Sequence, residues 1–510
     1  MSSELEEKIL LSPRQVRMLA FLMILGVYAV ELGESAELVS TQNVAVLIVA
    51  GALTATFMVV TNEPFAGVLI GPQVMLVLGY FVLPVFKHHL QYFRGQSYHT
   101  RHFSLDDEDV LEAVVAAGLA ITAMFVGHYL SKSLPFGRRG AAAETEERVQ
   151  LPARGVQVAL WVIAAAQLRL PSLIGDAAAK FFSGNVAMLA VAGTNAITGG
   201  IIYEETRRSV PRSSHFSLLI VGALSCALIG ALNGFGAQMA APLLACGFAI
   251  VMAGRLRAKW LLGGIIAIPA VIAFMSIKAD LRARSWTTGQ AADLTSSVNA
   301  FSAILDEKIK GIESRATSAN ADIEDIYNSN TRLQATNILA HVINATPDRV
   351  PYWAGETYSK YFWIFVPRFL YPWKPSIGFG QEFPHRYGLL DPGDTVTSFN
   401  MLMLVEAYAN FGVVGVCVHY LVFGVLLGLF EAWLRDKSRN SWVPYGVGTY
   451  LATSHFFGQE SGTFGMSQSF VTAVVVYVIF TWLGSGARGD GRHALAAPTR
   501  SLLPLGPSPG

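Results

Sequence analysis

The 510-residue sequence has few charged residues and very few cysteines. Asp, Glu, Lys and Arg make up 14% of it, against roughly 25% in an average soluble domain. The formal net charge of +1 excludes the strongly basic surface that nucleic-acid binding requires, so no nucleic-acid partner is expected. Cys226, Cys246 and Cys417 stand in apolar runs without the paired spacing of a disulfide framework or a metal site, and we interpret them as core residues.

Apolar residues are abundant instead. They form 52% of the chain, and the mean hydropathy is +0.43. Runs long enough to cross a bilayer recur about twelve times, which predicts an all-α polytopic membrane protein. The runs lie near residues 15–33, 43–61, 65–85, 109–130, 153–170, 185–203, 215–233, 236–253, 260–278, 411–434, 443–458 and 466–484.

The positions of these runs divide the chain into four parts. We expect an N-terminal transmembrane bundle of about nine spans over residues 1–278 and an extracytoplasmic element over 279–398. About three C-terminal spans follow over 399–485, and a disordered cytoplasmic tail over 486–510.

Basic residues in short loops predict the orientation, because Lys and Arg near a span resist translocation. With twelve spans, four basic loops fall on the cytoplasmic side together with both termini. These loops are Lys132–Arg154, Arg207–Arg212, Arg255–Lys259 and Arg435–Arg439. The basic stretch Lys87–His102 falls outside, so either a span is miscounted there or basic side chains are needed on the outer face.

The long outer segment, Lys278 to about Ser398, has no spanning run and too many aromatic residues for disorder. Apolar residues at helical spacing in Ser296–Arg315 predict an amphipathic helix lying along the membrane interface. Asn328–Pro347 carries a second such pattern, which Pro347 ends.

Within this outer segment, Val366–Gly388 gathers cations among Phe, Tyr and Trp. The cations are Arg368, Lys374, His385 and Arg386, and Arg282 and Arg332 belong to the same outer element. Cations held near a membrane face suit a phosphate or diphosphate, since Arg offers a planar fork and Lys a point charge. The alternative is that they are ordinary interfacial side chains, which is our interpretation of the singly placed Lys360 and Arg349.

Glu406 lies in an apolar helical run, where an unpaired carboxylate is costly and usually has a partner or a function. A packing ion pair with one of the arginines and a functional role both remain open. Four glycines at helical spacing follow, and they predict close packing against a neighbouring helix. They are Gly412, Gly415, Gly424 and Gly428.

An ordered set of motifs resembles a known family. "KADLRAR" after a span, a long outer loop, "TPDRVPYWAGETY", "PRFLYPWKP" and "EAYANFGVVG" are similar to segments of bacterial oligosaccharide repeat-unit polymerases, the Wzy-type O-antigen and exopolysaccharide polymerases. The resemblance covers Lys278 to Gly428, about a third of the chain. One departure is that Arg368 is followed by Gly378 and Gly380, which only approximates the Arg-to-Gly spacing of some members.

The resemblance implies a glycosyltransferase of the bacterial inner membrane that needs no metal and no cofactor. Its substrates would be polyprenyl-diphosphate-linked oligosaccharides on the outer face; its other partners would be membrane lipids and a chain-length-regulating membrane protein. Such chemistry needs cations on the leaving diphosphate and a base for the attacking hydroxyl. The cations would be Arg282, Arg332, Arg368, Lys374 and Arg386. Either His385 or Glu406 would be the base.

Two other functions compete with this one. The first is a transporter or flippase of lipid-linked oligosaccharide, but transporters are commonly built of two related halves, whereas here about nine spans precede the long segment and three follow it. The second is a ligase that passes finished glycan to another acceptor.

Overall fold

The computed structural model describes part of the chain, chiefly residues 107–134, 185–207, 236–253, 335–366, 379–395, 397–438, 442–459 and 461–492, with some single positions between them. Within these ranges every regular element is helical. The helices are α1 (Asp107–Ser131), α2 (Asn185–Arg207), α3 (Gly236–Met252), α4 (Ala335–Ala345), α5 (Glu356–Tyr361), α6 (Glu382–Arg386), α7 (Met403–Lys437), α8 (Val443–Gly458) and α9 (Gly462–Arg492), and a 3₁₀ turn, Phe362–Phe365, follows α5.

Three of these helices are long and apolar enough to cross a membrane, which indicates a membrane-associated protein. The spanning parts are Glu112–Ser131 of α1, Met403–Lys437 of α7 and Gly462–Leu483 of α9. The predicted count of twelve spans is not supported. Of the other runs, those at α3 and α8 form helices of only 17 and 16 residues, shorter than the roughly 20 that a span needs. The run at α2 is helical over Asn185–Arg207, and the remaining runs lie wholly or largely outside the described residues.

Glycines bring α7 and α1 into backbone contact. A Cβ atom at Gly424 would lie 2.0 Å from the carbonyl oxygen of Met124, and one at Gly428 would lie 1.9 Å from Oγ of Ser131. On the facing side, a Cβ at Gly127 would lie 2.0 Å from the carbonyl oxygen of Leu421. The close packing predicted from the glycine spacing is therefore confirmed for these positions of α7.

The second half of the core is built on α8, which packs against α2, α3 and α9. A Cβ atom at Gly446 would lie 2.2 Å from the carbonyl oxygen of Ala196, so α8 and α2 also touch through their backbones. The rings of Tyr203 and Tyr445 stack at 3.9 Å between centroids. The start of α9 lies beside the first turns of α7, where the backbone N–H of Thr463 donates to the side chain of Glu406.

Helix α4 confirms the helix predicted before Pro347, but it is buried. Nine of its eleven residues are buried, because it packs on α1 and α7. The amphipathic pattern therefore marks a face turned to other helices. Of the pattern in Ser296–Arg315, the structure describes only residues 299, 301–304, 306 and 307, all of them helical.

Helix α7 is broken eight residues after its start. Phe411 (φ −146°, ψ 23°) and Gly412 (φ 62°, ψ −151°) leave the helical conformation, and the helix resumes after them. Positive φ suits glycine, and a Cβ there would lie 2.9 Å from the hydroxyl oxygen of Tyr352. Gly412, predicted to be a packing glycine, instead forms the break. The break thus separates the first turns of α7 from the longer part of the helix that follows.

Candidate functional site

The break in α7 is covered by the loop before α5. The backbone N–H groups of Trp353 and Ala354 donate to the carbonyl oxygens of Ala409 and Asn410, at 3.0 and 3.2 Å. The N–H of Gly355 donates to Oδ1 of Asn410 at 2.9 Å. Carbonyls freed by a helix break need new donors when they are buried, and here the loop Trp353–Gly355 supplies them.

The buried side chain of Asn410 also stabilises the contact between the loop and the broken helix. Its Nδ2 donates to Oγ1 of Thr357 and to the carbonyl oxygen of Glu406, both at 2.8 Å. Asn410 therefore joins α5, the loop and the first turns of α7. An asparagine suits the place because one side chain both accepts and donates.

The carboxylate of Glu406 is fully buried and held by neutral donors. The hydroxyl of Tyr361 donates to Oε1. The backbone N–H and the hydroxyl of Thr463 both donate to Oε2 at 2.8 Å. Gly462, with φ of 67°, allows this approach, since a Cβ there would lie 2.9 Å from Oε2.

No lysine or arginine in the described part of the chain forms an ion pair with Glu406. The packing ion pair considered from the sequence is thus not seen among these residues, while Arg282, Arg332 and Arg368 lie outside them. The tyrosine beside the carboxylate is protonated. Burial, and then the nearby Glu406, raise the pKa of Tyr361 well above its ordinary value, so its hydroxyl is the donor in this contact.

Three rings next to Glu406 form an aromatic cluster, consisting of Trp353, Tyr361 and Phe379. Phe379 meets Trp353 edge-on at 5.6 Å and Tyr361 edge-on at 6.5 Å between centroids. Two cations lie on this cluster. Nζ of Lys360 is 4.4 Å from the centre of the Phe379 ring, and the guanidinium of Arg386 is 4.1 Å from that of Trp353. Cations are attracted to ring faces at such distances.

Each of these cations has a further partner that fixes its position. Nζ of Lys360 lies 2.8 Å from Oε2 of Glu382, and Arg386 donates to the carbonyl oxygen of Pro351 at 2.8 Å. Our interpretation of Lys360 as an ordinary interfacial residue missed its contact with the cluster. Its place beside Tyr361 in the sequence was the available signal.

His385 lies next to Arg386 on α6, and its contacts define its tautomer. Nε2 is 2.9 Å from the carbonyl oxygen of Asp394 and 3.0 Å from Oε1 of Gln381. A carbonyl oxygen only accepts, so Nε2 carries the hydrogen. In the neutral ring Nδ1 then has the lone pair, and no described residue bonds to it.

Three of the seven residues proposed from the sequence can thus be examined. Glu406 and Arg386 are joined through the aromatic cluster, and His385 adjoins Arg386 on the chain with its ring held by Gln381 and Asp394. The other four, Arg282, Arg332, Arg368 and Lys374, lie outside the described residues.

The sequence reasoning missed Tyr361, Thr463 and Asn410, which hold Glu406 and its helix. Tyr361 is one aromatic residue among many, and Thr463 belongs to a different helix about sixty residues away. Gly462, directly before Thr463 in the polar stretch that follows α8, was the available signal for a backbone approach.

No match to the chain was found among curated proteins or among solved structures. A family described as a domain of unknown function, DUF8712, matches residues 195–484. The matched stretch is more than half of the chain and includes every residue of the site around Glu406. The protein is therefore a member of the DUF8712 family.

Proposed function

We propose that this protein is a membrane glycosyltransferase that joins polyprenyl-diphosphate-linked oligosaccharides into a surface polysaccharide, as Wzy-type polymerases do. In this proposal it works on the outer face of the bacterial inner membrane, with about twelve spans and both termini in the cytoplasm. The supporting observation is that a buried carboxylate, Glu406, and two cations, Lys360 and Arg386, meet at one aromatic cluster beside a broken apolar helix.

The arrangement suits a lipid-linked diphosphate. The leaving group carries negative charge, which fixed cations stabilise best where water is scarce. Lys360 and Arg386 lie on aromatic rings that remove part of their hydration, next to apolar helices along which a polyprenyl chain would pack. Arg282, Arg332, Arg368 and Lys374 complete the diphosphate site in this proposal.

His385 and Glu406 take different roles. A base needs a free lone pair for the proton of the attacking sugar hydroxyl, and Nδ1 of His385 has one. Glu406 is fully buried behind Tyr361 and Thr463, so a sugar hydroxyl arriving from solvent does not reach it. We therefore assign the base to His385 and a positioning role to Glu406, which holds Tyr361 against Phe379.

The test uses the full chain in lipid nanodiscs with synthetic polyprenyl-diphosphate-linked repeat units, without nucleotide sugar or added metal. The native protein should produce a ladder of longer lipid-linked glycans. Arg386→Ala should lower the rate at least about tenfold, which corresponds to losing roughly 1.4 kcal/mol of transition-state stabilisation. His385→Ala should lower it further, and His385→Gln should not restore it, because an amide is not a base at neutral pH.

Lys437→Ala is the matched control, since Lys437 is a half-exposed cation at the far end of α7 that pairs with Asp436. It should polymerise at the native rate. Movement of the lipid-linked units across the bilayer without lengthening would identify a flippase and contradict the proposal. Transfer of one glycan to a different acceptor, with no ladder, would identify a ligase.

A further inference from the structure

Near Glu406, on α5, α7 and the end of α8, lies a group of buried polar atoms with no hydrogen-bond partner in the part of the chain that the structure describes. They are both ring nitrogens of His455, Nε2 of Gln459, Nε2 of His419 and the hydroxyl of Tyr358. His455 is 0% exposed and Gln459 5%. We call these four residues the inner polar group.

The inner polar group is continuous with the surroundings of Glu406. The Tyr358 ring stacks on His419 at 5.6 Å and lies 6.3 Å from the ring of Tyr361, which holds the carboxylate. Oε1 of Gln459 accepts a hydrogen bond from the hydroxyl of Tyr420 at 2.9 Å. His419 and Tyr420 are neighbours on α7, so the two ends of the group meet there.

Gln459 and His455 carry the group deeper between the helices. They are four residues apart at the end of α8 and therefore share one side of it. The backbone carbonyl of Gln459 accepts from the N–H of Met403 at 2.9 Å, which ties this end of α8 to the start of α7. His455 reaches α9, where its ring centroid lies 4.8 Å from that of Phe470.

Such atoms are unfavourable without partners, above all beside helices apolar enough to cross a membrane. An imidazole with neither nitrogen bonded leaves a donor and an acceptor unsatisfied in either tautomer. A leucine or phenylalanine would fill the same space without that loss. Buried water satisfies polar atoms of this kind, since one molecule makes about three hydrogen bonds.

We propose that the inner polar group holds a chain of internal water molecules that runs from His455 to the carboxylate of Glu406. Each water would bond to two or more of the unpartnered atoms and to its neighbours. The chain lets Glu406 exchange protons with His455 through water, although the two side chains lie on different helices. Relays of Glu and His side chains in membrane proteins serve this purpose. The inference does not depend on the proposed glycan substrate.

Two buried methionines provide a test of the water itself. Met466 lies on α9 between Thr463 and Phe470, and its Sδ would be 2.8 Å from a Cβ at Gly458. Met124 lies in the glycine contact between α1 and α7. Their exposures are 2% and 0%, so bulk solvent reaches both equally poorly. Brief radiolysis of the intact protein in detergent generates hydroxyl radicals from bound water, and mass spectrometry measures the sulfoxide formed.

We expect Met466 to be oxidised at least about five times faster than Met124. Equal oxidation of the two residues would overturn the proposal. His455→Phe and Gln459→Met replace the unpartnered atoms with apolar groups of similar size. Each should lower the oxidation of Met466 to the level of Met124 while leaving Tm at or above the native value. A lower Tm would instead show that the native side chain makes a structural hydrogen bond, and would also overturn the proposal.

Hydrogen–deuterium exchange tests separately whether the water chain reaches Glu406. The backbone N–H of Thr463 donates to Oε2 of Glu406, so water must reach the carboxylate for this amide to exchange with deuterium. In His455→Phe we expect the exchange of the peptide containing Thr463 to slow at least threefold, with peptides from α1 unchanged. Unchanged exchange at Thr463 would disprove the connection.

Discussion

Tyr361 donates a hydrogen bond to the buried carboxylate of Glu406. The first residue ends the short helix α5, and the second lies in the first turns of α7, a helix apolar enough to cross a membrane. This contact is one of several between residues 353–361 and α7, and its strength can be measured.

A double-mutant cycle isolates this pair. Tyr361→Phe removes one donor from a buried carboxylate and should lower the free energy of unfolding by about 1–3 kcal/mol. In Glu406→Gln the same Tyr→Phe change should matter less, with a coupling energy of at least about 0.5 kcal/mol, measured by denaturant unfolding in detergent. Tyr129→Phe, at an exposed position of α1, should change stability by less than about 0.5 kcal/mol. Strict additivity would contradict the contact.

Two glycines with nearly the same φ separate backbone strain from steric overlap. Gly462 has φ of 67° and Gly388 of 66°. Gly388→Ala meets nothing within 4 Å and should cost about 1–2 kcal/mol through its left-handed backbone alone. Gly462→Ala should cost more by about 1–3 kcal/mol, because its Cβ would lie 2.9 Å from Oε2 of Glu406. Thermal unfolding compares the two, and equal costs would mean that Glu406 moves aside freely.

The glycine contact between α1 and α7 gives a second matched pair. Gly424→Ala places a Cβ 2.0 Å from a backbone oxygen of Met124, so the helices must move apart. The expected loss of unfolding free energy is about 1–3 kcal/mol. Gly247→Ala, in the helix α3 with nothing within 4 Å, should instead stabilise the protein by up to about 1 kcal/mol through helix propensity. If Gly424→Ala also stabilises, the close packing is wrong.

Alkaline pH should lower the free energy of unfolding, because two tyrosines near Glu406 resist ionisation in the folded protein. Burial raises the pKa of both Tyr358 and Tyr361 above the ordinary value near 10. The folded protein therefore keeps protons that the unfolded chain releases, so stability is complete below about pH 10 and falls as the pH rises beyond it. Tm measured between about pH 8 and pH 12 should decline less steeply in Tyr361→Phe than in the native protein. Identical slopes would refute the assignment.

The features that could be predicted from sequence alone are those that depend on residue spacing within one segment. The helix over Ala335–Ala345, the tight contacts of Gly424 and Gly428, and Glu406 as an unusual residue all follow from spacing within one segment. The role of Gly412 does not, because Phe-Gly within an apolar run is compatible with a continuous helix. The break depends on the loop at Trp353–Gly355, about sixty residues earlier.

Hydropathy alone does not identify which apolar runs cross the membrane, for a related reason. It measures how apolar a run is, but does not distinguish a helix that faces lipid from one buried among other helices. Helix α8 is an apolar helix of 16 residues with most of its surface against α2, α3 and α9. The partners of Glu406 could not be predicted from the sequence either, since Tyr361 and Thr463 come from separate segments that only the folded chain brings together.

The loop that covers the break in α7 bears on how this protein is made. Trp353, Ala354 and Gly355 leave the ribosome before α7 does, and they provide the N–H groups that the interrupted helix needs. A helix arriving without them would present bare peptide carbonyls to lipid. The residues that cover the break are therefore already synthesised when α7 inserts, and a chain circularly permuted to begin at α7 would lack them during insertion.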